Sequence, residues 1–198
     1  MPTQSPPEKI RVPIVDESEA TGRVKELYDQ TLEEMNLPFV PDIVLIFSSR
    51  PEFLNVAVQG VTTLFTKSKL PPEVRELIIT WTSKLNDCGY CVGAHSFFLR
   101  LFGGSDELLA AAQNASSVEE LPTDGKTKEL LRLTTKVAQA AYKVTDDDWQ
   151  RCSDAGWTRE QVMDGVWAAS FYSFIVRFVS SCGLGPDAFA AMFVGAES

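Results

Sequence analysis

The sequence has few basic residues and no long apolar run, and both shortages exclude classes of function. Its 18 Lys and Arg residues stand against 27 Asp and Glu, so the formal net charge is −9 and the pI is near 4.7. No basic run or Arg/Lys stripe is present, which argues against nucleic acids and anionic membranes as partners. The longest uncharged apolar stretch, residues 165–176, is shorter than the ~20 residues that a bilayer span requires.

Cysteine and histidine are also scarce, with four copies and one copy. Four cysteines in a chain of this length do not make a disulfide scaffold. Cys152 and Cys182 stand alone, and we expect both to be small buried hydrophobic residues. Residues 1–9 hold three of the eleven prolines and no apolar signal core, which predicts a disordered or surface arm and no export. We therefore expect a cytoplasmic protein.

Apolar residues recur at helical spacing along the chain, and no convincing alternating strand pattern is present. Residues 10–198 are therefore expected to form a single all-α domain, in which the second half repeats the helical pattern of the first. The main helices are predicted over 22–35, 51–67, 73–85, 88–102, 106–114, 126–142 and 158–181. The last of these begins with a capping-box pattern, Thr158 followed by Gln161. Residues 77–83 are uncharged, which predicts a helix covered on most sides.

The most informative motif places two cysteines and the only histidine within eight residues: Cys88, Cys91 and His95. On a helix these three share an arc of about 60°. If Asp87 caps that helix, its N-terminal dipole would lower a thiol pKa toward neutrality, and His95 could accept or shuttle the proton. Phe98 and Phe102 continue the same face, which predicts an apolar pocket floor. The motif therefore favours thiol redox chemistry.

Two other interpretations of these residues stay open. Cys88, Cys91 and His95 offer three zinc ligands, with Glu76 as a possible fourth, although no second ligand pair exists in the chain. The thiols could also be inert. The spacing alone gives Glu76 no role, because a glutamate near a helix start more often serves the dipole.

Residues 70–77 (LPPEVREL) and 86–95 (NDCGYCVGAH) resemble the signature of the AhpD-like, carboxymuconolactone decarboxylase superfamily, nearest to its peroxidase-related branch. Residues 164–185 are similar to the last core helix of that branch. The resemblance implies an all-helical AhpD-like fold with active-site helices at about 71–103. It also implies homo-oligomers, either trimers or hexamers, with sites near subunit contacts.

The same resemblance implies an alkylhydroperoxidase or protein-disulfide reductase that needs neither a cofactor nor a metal. Cys91 would be the attacking thiol, Cys88 the resolving thiol, and Glu76 with His95 the proton relay. A dithiol donor, either lipoyl-bearing or thioredoxin-like, would reduce the resulting disulfide. The substrate, a hydroperoxide or a disulfide, would lie against Tyr90 and Phe98.

The chain departs from the family pattern at two positions. Tyr90 stands where the best-known peroxidase members carry a second histidine, so the relay is shorter or Tyr90 and water replace one step. Val176 stands where many relatives have asparagine. Decarboxylase members generally lack the cysteine pair, so its presence argues against a decarboxylase-type lyase. That lyase and a zinc-binding or non-catalytic interaction module are the alternatives to a peroxidase.

Overall fold

The computed structural model describes residues 10–185, so the predicted arm over residues 1–9 lies outside the described part of the chain. Over the described residues the protein is all-helical and contains no strand, which confirms the predicted fold class. The α-helices are α1 (Gly22–Met35), α2 (Asp42–Leu45), α3 (Pro51–Lys67), α4 (Pro72–Leu85), α5 (Gly89–Leu101), α6 (Asp106–Asn114), α7 (Gly125–Ala140), α8 (Asp146–Asp154) and α9 (Arg159–Cys182).

The starts of several helices are determined by prolines and capping side chains that can be recognised in the sequence. Pro51 and Pro72 occupy the first positions of α3 and α4, where the missing amide hydrogen is not needed. Ser105 and Asp124 cap α6 and α7 through their side chains. The predicted capping box of α9 is confirmed, because Gln161 N donates to Thr158 Oγ1 at 3.2 Å and Thr158 N donates to Gln161 Oε1 at 3.1 Å.

The chain divides into two compact units. The first contains residues 10–68 and the described residues from Phe178 onward. Within it α1 packs on α3, the Phe47 and Phe178 rings stack with centroids 4.1 Å apart, and Arg11 N donates to Cys182 O at 2.8 Å. This division does not test the prediction of a single domain over residues 10–198, which stays a prediction.

The second unit, residues 69–177, carries every residue of the candidate site. Its central helix is α4, which packs against α5, α6 and α7. All α4 residues from Arg75 to Ser83 are buried, which confirms the prediction of a helix covered on most sides. Trp81 Nε1 donates to Thr135 Oγ1 of α7 at 2.8 Å. The side chains of α4 are therefore held from several directions.

Within the second unit, α9 packs closely on α7 at Gly165. A Cβ at this position would lie 2.9 Å from Leu130 Cδ1, so a larger residue would require the Leu130 side chain to shift. By length and composition α9 could cross a membrane, with a mean hydropathy of 1.3 over an 18-residue window. Of that window 56% is buried in the protein, and buried core helices meet the same criteria. The uncharged stretch 165–176 thus belongs to a longer apolar helix, and its shortness alone excludes nothing.

Candidate active site

The turn between α4 and α5 positions the cysteine pair. Asp87 adopts a left-handed conformation with φ of 53°, which aspartate tolerates better than most residues. Cys88 N then donates to Ser83 O of α4 at 3.0 Å, and α5 begins at Gly89. The prediction that Asp87 caps α5 is therefore wrong by one residue: Asp87 belongs to the turn, and Cys88 is the N-cap.

Capping by Cys88 brings the two cysteines together. Cys91 N donates to Cys88 Sγ at 3.4 Å, which is a hydrogen bond to sulfur in the place where serine or aspartate oxygens usually accept. Both cysteines are buried, and all four cysteines of the chain are free thiols. The structure therefore holds Cys88 and Cys91 as a close reduced pair at the start of α5.

The helix start does not bring the Cys91 pKa toward neutrality as the sequence suggested. The hydrogen bond that the Cys91 thiol makes with Cys88, followed by burial, raises the pKa of Cys91 well above its ordinary value. Cys91 thus keeps its proton in the resting pair, and its conversion to a nucleophile requires a base.

Glu76 and His95 are brought together across the α4–α5 contact. His95 Nδ1 lies 2.8 Å from Glu76 Oε2, and the Glu76 side chain is 0% exposed. Spacing alone gave Glu76 no partner, whereas the family resemblance paired it with His95. His95 follows Cys91 by one helical turn, so the imidazole lies on the same helix as Cys91.

Arg75 completes this group, and sequence analysis did not single it out. Its Nε and Nη2 lie 3.1 and 3.0 Å from Glu76 Oε1, and its side chain is only 5% exposed. Its guanidinium carbon also lies 5.6 Å from the centroid of the Phe102 ring. The one signal in the sequence was its position beside Glu76 in the LPPEVREL motif. Adjacent helical residues usually point in different directions, so that signal is weak.

Aromatic rings surround His95. The Tyr172 ring of α9 meets the imidazole edge-on at 4.7 Å, and the Phe98 ring lies 6.1 Å away. Burial, with a smaller contribution from the negative charge of Glu76, raises the pKa of Tyr172 well above its ordinary value, so its hydroxyl stays protonated. Tyr172 was missed because nothing near it in the sequence marks it.

Tyr90, near the start of α5, and Phe102, at its C-cap, differ in burial. Tyr90 is buried, in the second residue of α5 and between the two cysteines in sequence. Phe102 ends the helix and is 40% exposed. The predicted apolar floor therefore continues through Phe98 but not to Phe102, because α5 ends before the face is complete.

Three hydroxyl groups on α4 lack a hydrogen-bond partner within residues 10–185: Thr80 Oγ1, Thr82 Oγ1 and Ser83 Oγ. Other helical hydroxyls donate to their own helix, such as Thr31 to Leu27 O at 2.8 Å. Thr80 and Ser83 share the helical face of Glu76 and lie between the contacts that α4 makes with His95 and Cys88. A buried hydroxyl without a partner costs about 1–3 kcal/mol, so this face of α4 is polar at the expense of stability.

The structure offers no support for the zinc interpretation. Over residues 10–185, no three side chains among His, Cys, Asp and Glu are arranged to hold a metal ion. His95 Nδ1 instead faces Glu76, and the latter also faces Arg75, whose positive charge disfavours a nearby cation.

Cys152 and Cys182 lie far from this site in sequence. Both are buried, which confirms the prediction for these positions. Burial raises the pKa of Cys152 to about 11, and it also raises the pKa of Cys182. Neither thiol has the surroundings of a nucleophile.

Residues 51–122 match the family model of the carboxymuconolactone decarboxylase family. This segment spans α3 to α6 and contains both cysteines of the pair, Glu76 and His95. A search of curated proteins finds no match.

The solved structures that share the fold include three with TM-scores of 0.73 to 0.77. One is the alkylhydroperoxidase AhpD core of an uncharacterized peroxidase-related protein from Ralstonia eutropha JMP134, with TM-score 0.76 and 22% identity over 90% of this chain and 91% of that one. A peroxidase-related protein from Silicibacter sp. TM1040 has TM-score 0.77 and 20% identity over 93% and 94%. The debrominase Bmp8 has TM-score 0.73 and 12% identity over 92% and 96%. At these identities the likeness establishes the fold alone.

Proposed function

We propose that the chain is a member of the AhpD-like, carboxymuconolactone decarboxylase superfamily, whose family model matches residues 51–122, and that it is a thiol-dependent peroxidase or disulfide oxidoreductase that reduces alkyl hydroperoxides through Cys88 and Cys91. One observation carries the proposal: a reduced, hydrogen-bonded cysteine pair begins the helix that also carries His95, itself paired with buried Glu76. Thiols that only fill space need neither a partner thiol nor a buried base.

In the first step His95 accepts the thiol proton of Cys91, and the thiolate attacks the outer oxygen of the hydroperoxide. The sulfur–oxygen bond forms as the oxygen–oxygen bond breaks, and the alkoxide leaves as an alcohol after taking a proton from His95. Cys91 becomes a sulfenic acid. The raised pKa of Cys91 supports a role for His95, because little thiolate is present at neutral pH without a base.

In the second step Cys88 attacks the Cys91 sulfur. The disulfide forms, the sulfur–oxygen bond breaks, and hydroxide leaves as water with the proton of Cys88. The pair has then given two electrons to the peroxide. A dithiol donor, either lipoyl-bearing or thioredoxin-like, reduces the disulfide by exchange and is itself oxidised to a disulfide.

Aromatic side chains support an alkyl rather than a polar substrate. Phe98 and Tyr172 lie against His95, and buried Tyr90 lies between the cysteines in sequence. We assign Tyr90 and Phe98 to the substrate pocket on this basis. The protonated Tyr172 hydroxyl adds a donor to the surroundings of Glu76 and Cys91, although a second histidine is missing at position 90.

Homo-oligomerisation is part of the proposal. Met163, Trp167 and Phe174 are 58%, 47% and 45% exposed, and their spacing puts them on one face of α9. Apolar side chains in such a row are typical of subunit contacts. A trimer or hexamer in the cytoplasm, as the family resemblance implies, would cover them.

The proposed activity is tested by titrating the reduced protein with an alkyl hydroperoxide and mapping thiols by mass spectrometry. We expect Cys88 and Cys91 to form a disulfide with one equivalent of alcohol released, while Cys152 and Cys182 remain reduced because each stands alone in the sequence, without a neighbouring thiol or histidine. If Cys88 and Cys91 stay reduced under excess peroxide, the protein is not a peroxidase of this type.

The replacement of His95 by glutamine tests the base. At neutral pH we expect thiol oxidation to slow by about 10²-fold, the smaller end of the usual contribution of a general base. The deficit should shrink as the pH rises toward the raised pKa of Cys91, because solvent then removes the thiol proton. The rate of peroxide-dependent thiol loss across a pH series measures this. Cys152→Ser is the control, and its oxidation rate should match that of the parent. If His95→Gln is slower than the parent by the same factor at every pH, His95 does not take part in the proton transfer.

A decarboxylase-type lyase is the second candidate, because the matching family model is that of the carboxymuconolactone decarboxylases. Such a reaction uses no thiol. It therefore predicts a decarboxylation that is unchanged in Cys91→Ser, whereas the peroxidase loses its activity in the same variant.

A further inference from the structure

We infer that Arg75 is a positioning residue that fixes the charge state of the Glu76–His95 pair, so that His95 enters the reaction as a neutral base. The inference rests on the proposed function in one respect, since it concerns the same site. Its basis is geometric: one carboxylate is shared between a guanidinium and an imidazole, both on the buried side of α4 and α5.

The two oxygens of Glu76 are divided between the two partners. Arg75 Nε and Nη2 both approach Oε1, at 3.1 and 3.0 Å, whereas His95 Nδ1 approaches Oε2 at 2.8 Å. The side chains of Arg75, Glu76 and His95 are 5%, 0% and 9% exposed. At this burial each charge is poorly solvated, and the balance of charge within the group decides the protonation of its members.

With Arg75 present, its positive charge and the Glu76 carboxylate cancel. A neutral imidazole then satisfies the group: Nδ1–H donates to Oε2, and Nε2 carries the lone pair that can accept a proton. In this arrangement Glu76 orients His95, and His95 takes the proton. The relay therefore ends at His95.

Without Arg75 the site would hold one uncompensated negative charge. Protonation of His95 compensates this charge at the lowest free-energy cost. It converts Glu76 and His95 to an imidazolium–carboxylate ion pair and removes the lone pair at Nε2. The loss of Arg75 should therefore disable the base by protonating it, with Glu76 and His95 still in contact.

Within residues 10–185, no other group near the pair supplies the missing positive charge. In this part of the chain, the titratable residues around the pair on α4, α5 and α9 are Arg75, Glu76, Cys88, Tyr90, Cys91, His95 and Tyr172. Apart from Arg75 and His95, all of these are neutral or become negative. Arg75 is thus the permanent cation of this set.

The experiment uses the fact that His95 is the only histidine of the chain. With ¹⁵N-labelled histidine, two-dimensional NMR of the full reduced protein reports one imidazole, its tautomer and its titration. In the parent we expect the neutral Nδ1–H tautomer at neutral pH. In Arg75→Met we expect the titration midpoint to move up by at least about one pH unit, and Arg75→Lys should restore most of the parent value.

Arg100→Met is the matched control, because Arg100 also pairs with a carboxylate, at 2.8 Å from Asp106, but is 64% exposed. It should leave the His95 titration unchanged. An unshifted midpoint in a folded Arg75→Met protein would overturn the inference. If Arg75→Met does not fold, two other results would overturn the inference. One is the Nε2–H tautomer of His95 in the parent. The other is a shift of the His95 titration midpoint by about one pH unit in Arg75→Lys. None of these readouts needs turnover, so a failure of the peroxidase proposal would be seen separately.

Discussion

Replacement of Cys91 by serine is expected to abolish peroxide-dependent thiol oxidation, with a rate loss of about 10³-fold or more. The hydroxyl of serine is not ionised by a histidine pair of this kind to the extent that a thiol is, and it is the weaker nucleophile toward peroxide oxygen. The substitution exchanges sulfur for oxygen in a buried position, so the fold should survive. Stopped-flow measurement of peroxide consumption under single-turnover conditions gives the rate.

The companion variant Cys88→Ser separates the roles of the two sulfurs. It should still react once, and it should stop at a Cys91 sulfenic acid that a dimedone-type probe labels. The two sulfurs differ in their surroundings, because the Cys88 sulfur, and not the Cys91 sulfur, accepts the backbone amide hydrogen bond at the start of α5. Rapid sulfenic acid formation at Cys88 in Cys91→Ser would reverse the assignment. Cys152→Ser, a buried thiol outside the site, should behave as the parent.

Replacement of Glu76 by leucine is expected to reduce the free energy of unfolding by about 3–5 kcal/mol, the usual effect of breaking a buried ion pair by removing one partner. The Arg75 charge would remain buried without its carboxylate, and His95 would lose its Nδ1 partner. Urea unfolding of the reduced protein, followed by circular dichroism, measures the change.

Two further variants identify the cause of that loss. Arg75→Met combined with Glu76→Leu should recover most of it, because no uncompensated charge is then left in the interior. Glu160→Leu removes the partner of Lys69 at a site that is 69% exposed, and it should leave the free energy of unfolding close to that of the parent, because solvent screens exposed ion pairs. A loss below about 1 kcal/mol in Glu76→Leu would mean that the Arg75 charge reaches solvent in the absence of its partner.

Much of the fold follows from local signals in the sequence. Prolines at the starts of α3 and α4, the capping box of α9 and the helical apolar period determine most helix limits to within one or two residues. The site was partly predictable for the same reason: Cys88, Cys91 and His95 lie close in sequence, so helical periodicity alone relates them. Glu76 belongs to another helix, and only the family resemblance joined it to His95.

The remaining site features depend on information that periodicity does not carry. The N-cap is Cys88 and not Asp87, because Asp87 adopts a left-handed conformation. That conformation depends on the geometry of the whole turn between α4 and α5. Arg75 reaches its own neighbour Glu76 by folding its long side chain back, which sequence adjacency disfavours. Tyr172 arrives from α9, and only tertiary packing brings its ring to His95.

The sulfur cap of α5 links local backbone structure to electron transfer. Cys88 accepts the Cys91 amide hydrogen bond, and it accepts most strongly as a thiolate, whereas a disulfide sulfur carries no charge and is a poorer acceptor than a thiolate. Oxidation of the pair therefore weakens the first hydrogen bond of the helix. Because this linkage is reciprocal, the intact helix start favours the reduced pair and raises its reduction potential. In the proposed reaction, this backbone amide would therefore make the Cys88–Cys91 disulfide easier to reduce, without any contact to the proposed electron donor.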